Sequence, residues 1–423
     1  MKLKASGAIL LLLSTAGLAH DIEVNKEDNE RVGSVREAIS NIGETEDKNV
    51  STTQMFSDMF KNGKTTGQIR AIYAGYDFKN DTDTHATSIG GQLKYELAEL
   101  NGFNGAVAFY TANDIDFATG NDANQNNELS STKGNYTDLT EAYINYKYDG
   151  FNFRGGRQVI DTPLADSDDI RMIQNTFEAY IALYTIEGFT FLAGNLQQWQ
   201  GYDAGLDDGW QKTGENGTWM ASVSFENDNV NASVWYYQIT KALDAYYAEG
   251  SYNYEINKDS SVALSAQVLI EKELNNSTNE ADIYGASVEA AFYGFGVNAA
   301  YNKANVATGK QSFSGFGGGA LFTSMDTMIL DVIAIDRDAD AILGGISYVY
   351  GDLNLFYAYG DFRGDKDSVG QKAHIVEQNA GFEYDLNENF RISAVYAVEE
   401  NKEVPSDAGT NFDRLQVMAA YNF

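Results

Sequence analysis

Apolar and polar residues alternate along most of the chain from Thr66 onward, and this period of two is typical of β-strands whose two faces meet different surroundings. Eighteen segments show the pattern. They lie near residues 66–77, 85–97, 103–112, 137–148, 151–159, 175–186, 188–197, 217–226, 229–239, 244–255, 260–271, 281–292, 295–303, 340–350, 352–361, 373–385, 389–399 and 412–423. The chain is therefore predicted to be an all-β protein.

The two faces of the fourth segment differ in polarity. The apolar face consists of Ala142, Ile144, Tyr146 and Tyr148. The polar face consists of Glu141, Tyr143, Asn145 and Lys147. A lysine or arginine facing lipid at mid-depth would cost roughly 2–4 kcal/mol. The polar face is therefore predicted to line a water-filled lumen, with Glu141, Tyr143 and Lys147 on the solute path.

The connections between the segments alternate in length. Every second connection is very short, such as Asp149-Gly150 and Tyr293-Gly294, whereas most of the others are long and polar. Short turns at one end and long loops at the other are typical of antiparallel transmembrane barrels, and a soluble sandwich has no reason to keep this parity. Residues 66–423 are therefore predicted to form a transmembrane antiparallel β-barrel of eighteen strands.

The first 65 residues have a different character. Residues 1–19 combine Lys2 and Lys4, a short apolar core and a small-residue site ending at Ala19, which predicts a cleaved signal peptide. Residues 20–65 are predicted to be a periplasmic segment with one short helix, because Ser51-Thr-Thr-Gln54 forms a capping box before an apolar stripe. A small plug inside the lumen is the alternative for this segment.

The last segment ends in an aromatic residue. Its apolar face consists of Leu415, Val417, Ala419, Tyr421 and Phe423. An ordinary amphipathic strand explains the alternation but not the terminal phenylalanine, which resembles the signal read by the outer-membrane β-barrel assembly machinery. The chain is therefore expected in the outer membrane of a Gram-negative bacterium, in contact with its lipid.

Composition removes several functional classes. The 423 residues include no cysteine, so disulfides and thiolate metal sites are excluded. The formal net charge of −32 argues against binding nucleic acid and favours cations at the channel mouth. Only His85 and His374 fall in the predicted barrel, and neither belongs to a recognisable Ser/His/Asp spacing. No enzymatic activity is predicted.

A loop at 160–174, after the fifth segment, concentrates charge. It contains four aspartates and a following arginine, namely Asp161, Asp166, Asp168, Asp169 and Arg171. Fixed charges on a loop folded into a barrel would sort solutes by sign and size, so the loop is predicted to narrow the pore. An ordinary solvated acidic loop is the alternative. Three carboxylates this close also suit Ca²⁺, although no EF-hand spacing is present, and no cofactor is expected.

The stretch from about 150 to 180 resembles the OprD-like porins of the Opr family. The resemblance rests on Gly156-Arg-Gln158, Asp161-Thr-Pro-Leu164, Asp166-Ser-Asp-Asp-Ile-Arg171 and Asn175-Thr-Phe177. It implies an eighteen-stranded porin with substrate-selective diffusion and no catalysis. It also implies an arginine row on the wall, facing acidic groups of the infolded loop.

Carried onto this chain, the resemblance assigns Arg154, Arg157 and Arg171 to the basic side and the loop aspartates to the other. Strict alternation with Phe151 and Phe153 sends Arg157 outward, unless Gly155-Gly156 seats a bulge that turns it inward. The strong acidity of the chain departs from the family pattern, so anion preference is not inherited. Members of the family occur as monomers and as trimers, which leaves a homotrimer open.

A second long loop, 304–339, is unusually apolar around Met325 and Met328. It is expected either to fold into the lumen or to add a hairpin to the barrel. Taken together, the sequence predicts a passive porin for small hydrophilic solutes or ions. The alternative is a surface barrel that serves in adhesion or structure without significant transport.

Overall fold

The computed structural model describes residues 52–115 and 124–423. Within them lie one α-helix, α1 (Thr52–Lys61), and nineteen strands. The strands are β1 (Lys64–Phe78), β2 (Thr84–Glu96), β3 (Phe103–Asp114), β4 (Asn135–Tyr148), β5 (Phe151–Gln158), β6 (Thr176–Ile186), β7 (Phe189–Gln200), β8 (Gln211–Lys212), β9 (Thr218–Glu226), β10 (Val230–Ile239), β11 (Leu243–Asn257), β12 (Ser260–Glu273), β13 (Ala281–Phe292), β14 (Phe295–Asn305), β15 (Ala339–Tyr350), β16 (Leu353–Gly364), β17 (Ala373–Asn387), β18 (Phe390–Asn401) and β19 (Asn411–Asn422). No helix in the described ranges has the length and apolar character needed to cross a bilayer.

Eighteen of the strands form one closed antiparallel barrel. Each pairs with its neighbours along the chain, and the ring closes where β1 pairs with both β2 and β19. β8 is an extra two-residue strand at the end of β7, which itself pairs with β9 along the wall. The predicted fold class and strand number are confirmed.

Side chains alternate across the barrel wall as the sequence predicted. In β4, Ile144 is 66% exposed, whereas Glu141 and Asn145 are each 2% exposed. The apolar rows of β16 and β19 likewise lie outside, with Leu355 and Val417 exposed. So many large apolar side chains on one continuous surface are typical of a membrane-facing surface, because water would penalise them. The polar set faces inward.

The short turns have a defined geometry. In Asp149-Gly150 and in Tyr293-Gly294 both central residues have positive φ, at 43° and 76° and at 48° and 87°. Two consecutive positive φ angles are the mark of the type I′ turn, whose twist matches that of a two-residue β-hairpin. These turns fix the register of the strands they join, and so decide which face of each strand points inward.

The short helix predicted before the barrel is confirmed as α1. The backbone N–H of Ala98, in the turn after β2, donates to the carbonyl of Met59 at 3.1 Å. Ser51, the predicted signal peptide at 1–19 and the segment 20–50 lie outside the described residues. The boundary between the periplasmic segment and the barrel, placed at residue 66, stays a prediction. Strand β1 begins two residues before it.

The loop between β14 and β15, residues 306–338, folds into the barrel. Its buried apolar side chains include Phe316, Leu321, Phe322, Met325, Met328 and Leu330. They pack against inward side chains of the wall, including Ile283, Leu343 and Phe362. Of the two expectations for this stretch, the structure shows infolding. Its one regular helical element among the described residues is a 3₁₀ turn, Leu330–Val332.

Polar groups of the wall hold the same loop in place. Gln267 on β12 donates to the carbonyl of Ala320 at 2.8 Å and accepts from the backbone N–H of Phe322 at 2.8 Å. Asn302 on β14 accepts from the backbone N–H of Thr323 at 3.1 Å. Buried amides are costly unless they are hydrogen-bonded, so these contacts fix the position of the loop against the wall.

The loop after β5, residues 159–175, also folds inward and meets the first. The backbone N–H of Asp166 donates to the carbonyl of Phe316 at 3.0 Å, and the N–H of Phe316 donates to that of Leu164 at 3.0 Å. Gly317 lies at this junction with φ +84°, and a Cβ there would come within 2.4 Å of the Asp166 carbonyl oxygen. Glycine is therefore required where the two loops touch.

Candidate functional site

Arg70 fixes the loop 159–175 to the wall. It is on the inward face of β1, 5% exposed. Its Nη1 lies 2.6 Å from Asp169 Oδ1, and its Nη2 donates to Asp169 Oδ2 at 2.7 Å. Nη1 also donates to the carbonyl of Arg171 at 2.5 Å. This bidentate pairing is the strongest form of an Arg–carboxylate contact, and it neutralises the charge of Asp169.

Arg414, on the inward face of β19, joins two other loops. It is 1% exposed at its side chain. Its Nη1 donates to Asp326 Oδ2 at 2.6 Å, and its Nε donates to Glu128 Oε1 at 3.1 Å. Asp326 belongs to the loop 306–338 and Glu128 to the connection between β3 and β4. One guanidinium therefore holds two loop carboxylates in a nearly water-free position.

Arg171 adds a third cation from the loop itself. Its Nε lies 3.6 Å from Glu128 Oε1, and its guanidinium lies 4.3 Å from the ring centroid of Tyr202. Three arginines thus face three loop carboxylates, Asp169, Glu128 and Asp326. The arginine row is balanced in charge, so it carries little net positive field for attracting anions.

The other loop aspartates shape the loop itself. Asp161 Oδ1 accepts from the backbone N–H of Ser167 at 3.0 Å, and Asp166 Oδ1 accepts from that of Asp168 at 2.7 Å. Asp168 itself has φ 44°. Among the described residues, Asp169 is the only one of the four predicted aspartates that forms an ion pair with a wall arginine. Short aspartates that bond to nearby N–H groups are typical of tight turns.

The polar face of β4 forms a second group on the wall. Lys94 donates to Glu141 at 2.8 Å, and Tyr110 donates to Glu141 at 3.1 Å. The guanidinium of Arg154 lies 4.5 Å from the ring centroid of Tyr143. Arg154, Glu141 and Tyr143 therefore face inward as predicted from alternation, and the loop reaches this group through Gln174, which donates to the hydroxyl of Tyr110 at 2.5 Å.

Lys147 and Arg157, the other two predicted wall cations, lie away from both of these groups. Lys147 is exposed beside the short-turn end, where its backbone N–H donates to the carbonyl of Gly102 at 2.8 Å.

Arg157 lies on the outer face, because the pairing of β5 with β4 and β6 continues without a bulge at Gly155-Gly156. There its Nε is 3.7 Å from Glu178, and its guanidinium is 4.5 Å from the ring centroid of Trp210. Its expected place beside the loop aspartates is not the one the structure shows.

A vestibule of about 820 Å³ lies below the loops. It extends from Arg70, Asp169 and Asp326 to the short turns around Asp352 and Asn387. Its acidic lining residues are Asp169, Asp326, Asp352, Glu383, Asp385 and Glu388. Its basic lining residues are Arg70 and Arg391. Asp326 is paired with Arg414, so six carboxylates against three guanidinium groups leave the cavity negative by three charges, which favours cationic solutes.

Comparisons with known proteins identify the fold. No family model matches the sequence, and no curated protein matches it. Among solved structures, OccAB2 of Acinetobacter baumannii superposes with a TM-score of 0.74 at 13% identity, covering 86% of this chain and 99% of that one. OpdK of Pseudomonas aeruginosa, solved with vanillate, superposes with a TM-score of 0.72 at 14% identity and the same coverage.

The chain has the fold of these outer-membrane proteins. OccK9 (OpdG) of Pseudomonas aeruginosa gives a TM-score of 0.74 at 11% identity, again over 86% of this chain and 99% of that one. All three are porins of the OprD/Occ family. The resemblance predicted from the sequence is therefore confirmed at the level of the fold.

Within this porin fold, sequence reasoning missed four residues that make the main loop contacts: Arg70, Arg414, Glu128 and Asp326. The alternation of the strands gave a weak signal for the two arginines. Arg70 is one residue from the exposed Ile69, and Arg414 is one residue from the exposed Leu415. Alternation alone therefore assigns both arginines to the inward face. Their partners could not be inferred, because both carboxylates lie in distant loops.

Loop docking should depend on pH. Burial, followed by the charge of Asp203, raises the pKa of Asp168 to about 7, and burial raises the pKa of Asp166 to about 6. Such a carboxyl stabilises the docked loop fully when the pH lies below the ordinary aspartate pKa of about 4, because it is then protonated whether the loop is docked or free. This contribution is lost as the pH rises through 6 to 7, where the buried carboxyl has to ionise. Current fluctuations in single-channel recordings should therefore be on the order of tenfold rarer at pH 5 than at pH 8.

The variant Asp168→Asn should remove most of this dependence, because it cannot ionise. Glu403→Gln, in an exposed loop between β18 and β19, is the matched control and should keep it. Equal fluctuation rates at both pH values in the unmodified protein would contradict the assignment.

Proposed function

We propose that this protein is an outer-membrane porin through which small hydrophilic solutes and ions diffuse passively. The main support is a closed barrel of eighteen strands with apolar side chains outside and ion pairs inside. Barrels of this strand number enclose an aqueous channel, whereas eight-stranded barrels are filled by side chains. The infolded loops 159–175 and 306–338 narrow the channel above the vestibule.

The fold supports a place in the outer membrane of a Gram-negative bacterium. Phe423, 48% exposed on the outer face, is proposed to be recognised by the β-barrel assembly machinery during insertion. Assembly into a homotrimer remains an expectation from the family resemblance.

The porins of this fold are not enzymes, and we propose no catalytic role here. We also propose that transport needs no cofactor. Over residues 52–115 and 124–423, no set of three or more acidic or histidine side chains is placed to hold a metal ion.

Single-channel recording in a planar bilayer tests the proposal. A porin should give unit conductance steps with a roughly linear current–voltage relation. A correctly inserted barrel that gives no unit steps would support the alternative, a surface barrel that serves in adhesion or structure.

The negative vestibule should make the channel cation-selective. Under a salt gradient we expect a reversal potential of cationic sign, and the double variant Asp352→Lys/Glu388→Lys should move it toward zero, because both side chains line the vestibule. Glu403→Lys changes charge on an exposed outer loop and should have a much smaller effect, since salt screens distant surface charge. A reversal potential of anionic sign in the unmodified protein would refute the selectivity but not the porin.

A further inference from the structure

Helix α1 is docked against the outside of the barrel. Met59 is 8% exposed, and its carbonyl accepts from the backbone N–H of Ala98. The hydroxyl of Tyr95 donates to the carbonyl of Phe60. Met59 and Phe60, near the end of the helix, are therefore joined to β2 and to the turn that follows it.

The register of β2 places this contact on the lipid-facing side. Tyr95 is two residues from Leu93, which is 51% exposed, so both side chains point to the same face of the strand. The turn after β2 is one of the short turns. Helix α1 therefore lies outside the wall, at the short-turn end of the barrel.

One exposed side of α1 is apolar. Phe56 is 54% exposed and Phe60 is 61% exposed, and a spacing of four residues puts them on the same side of the helix. Lys61 and Lys64 follow directly and are also exposed. Two large aromatic side chains beside two lysines at the end of a membrane barrel are the composition of a helix that lies in a membrane interface.

The surroundings of the helix indicate what covers this side. Ile69 on β1, Leu93 on β2 and the terminal Phe423 form the neighbouring part of the exposed apolar wall. Phe56 and Phe60 lie at the short-turn end of the same wall, because the carbonyl of Phe60 accepts from the Tyr95 hydroxyl on β2. Lysines at such an edge can bury their chains against apolar groups while their ammonium groups reach the lipid phosphates.

We propose that α1 is an interfacial anchor: Phe56 and Phe60 insert into the phospholipid leaflet at the short-turn end, and Lys61 and Lys64 contact the phosphate groups. This rests on the proposed membrane location of the barrel. The anchor is separate from the transport path, because α1 lies outside the wall.

The absence of cysteine in the chain allows a direct test. Single variants Phe56→Cys and Phe60→Cys are labelled with an environment-sensitive fluorophore, in full-length protein reconstituted in phosphatidylethanolamine/phosphatidylglycerol vesicles. Quenching is measured with a headgroup-proximal spin-labelled phospholipid and with a water-soluble quencher. Gln54→Cys, on the opposite side of the same helix, is the matched control, and Leu93→Cys reports on barrel insertion.

Labels at Phe56 and Phe60 should be quenched by the lipid at least about threefold more strongly than the label at Gln54, which should respond to the aqueous quencher. Aqueous quenching at Phe56 and Phe60, with lipid quenching at Leu93, would overturn the anchor while leaving the barrel in the membrane. Protection from both quenchers would also overturn it, since a second copy or residues 20–50 would then cover the face. Failure of lipid quenching at Leu93 would refute the membrane location itself.

A charge variant gives a second readout, which tests the two lysines. In vesicles containing phosphatidylglycerol, Lys61→Glu/Lys64→Glu should lower lipid quenching of the Phe60→Cys label severalfold, because the acidic side chains are repelled by anionic headgroups. In purely phosphatidylcholine vesicles the loss should be smaller. An equal response in both lipids would show that anionic headgroups do not attract the lysines and would overturn that part of the proposal.

Discussion

Replacing Arg414 with methionine should lower the free energy of unfolding by about 3–5 kcal/mol, because Glu128 and Asp326 would remain buried without their cation. Arg414 is among the largest fully buried side chains, and it joins two loops that are distant in sequence. Loss of the guanidinium should therefore also release these loops from β19. Urea unfolding in lipid vesicles, followed by tryptophan fluorescence, measures the effect.

Two comparisons make this result specific. Lys241→Met removes an ion pair with Glu215 in which both side chains are more than half exposed, and it should change the stability by less than about 1 kcal/mol. Arg414→Lys keeps the charge but lacks the planar fork that reaches both carboxylates, so it should recover only part of the loss. Equal stabilities for Arg414→Met and Lys241→Met would show that the buried network does not hold the loops.

The barrel could be predicted from the sequence because its determinants are local. Alternation in a strand such as β4 specifies both the strand and its lipid-facing side, since a charged residue on the wrong face is penalised within the bilayer. Turn residues such as Asp149-Gly150 specify where one strand ends and the next begins. Neither signal needs knowledge of the rest of the chain.

The site could be predicted only in part, because its contacts are not local. Asp169 was recognised as a loop carboxylate, yet its partner Arg70 is 99 residues away and comes into reach only when the ring closes. Glu128 and Arg414 are 286 residues apart. The family resemblance directed attention to Arg154 and Arg157, which lie on β5, whereas the structure uses arginines of the closing strands β1 and β19.

Arg157 illustrates the limit of a motif match. Uninterrupted alternation with Phe151 and Phe153 was the correct guide to its direction, and no bulge at Gly155-Gly156 reverses it. The backbone pattern therefore outweighed the inherited role. The loop 306–338 shows the converse: its apolar composition indicated burial but did not decide between the lumen and the sheet.

Removing the tip of that loop should raise the single-channel conductance severalfold. The backbone N–H of Ser312 donates to the carbonyl of Ala334 at 3.3 Å, so the ends of the segment 313–333 already lie together. A short Gly/Ser linker can join them without strain on β14 or β15. The deletion removes Phe316, Phe322 and the other side chains that fill the lumen, and it leaves a barrel of a size that encloses an aqueous channel.

The wall beneath the deleted segment should tolerate water. It carries polar groups such as Gln267, Asn302 and Glu377, which now bond to the loop and can bond to solvent instead. The matched control shortens the exposed outer loop at 403–407 and should leave the conductance near its original value. If the deletion of 313–333 gives a folded barrel with unchanged conductance, the infolded loop does not limit the flow, and the narrowest point must lie at Arg70 and Asp169.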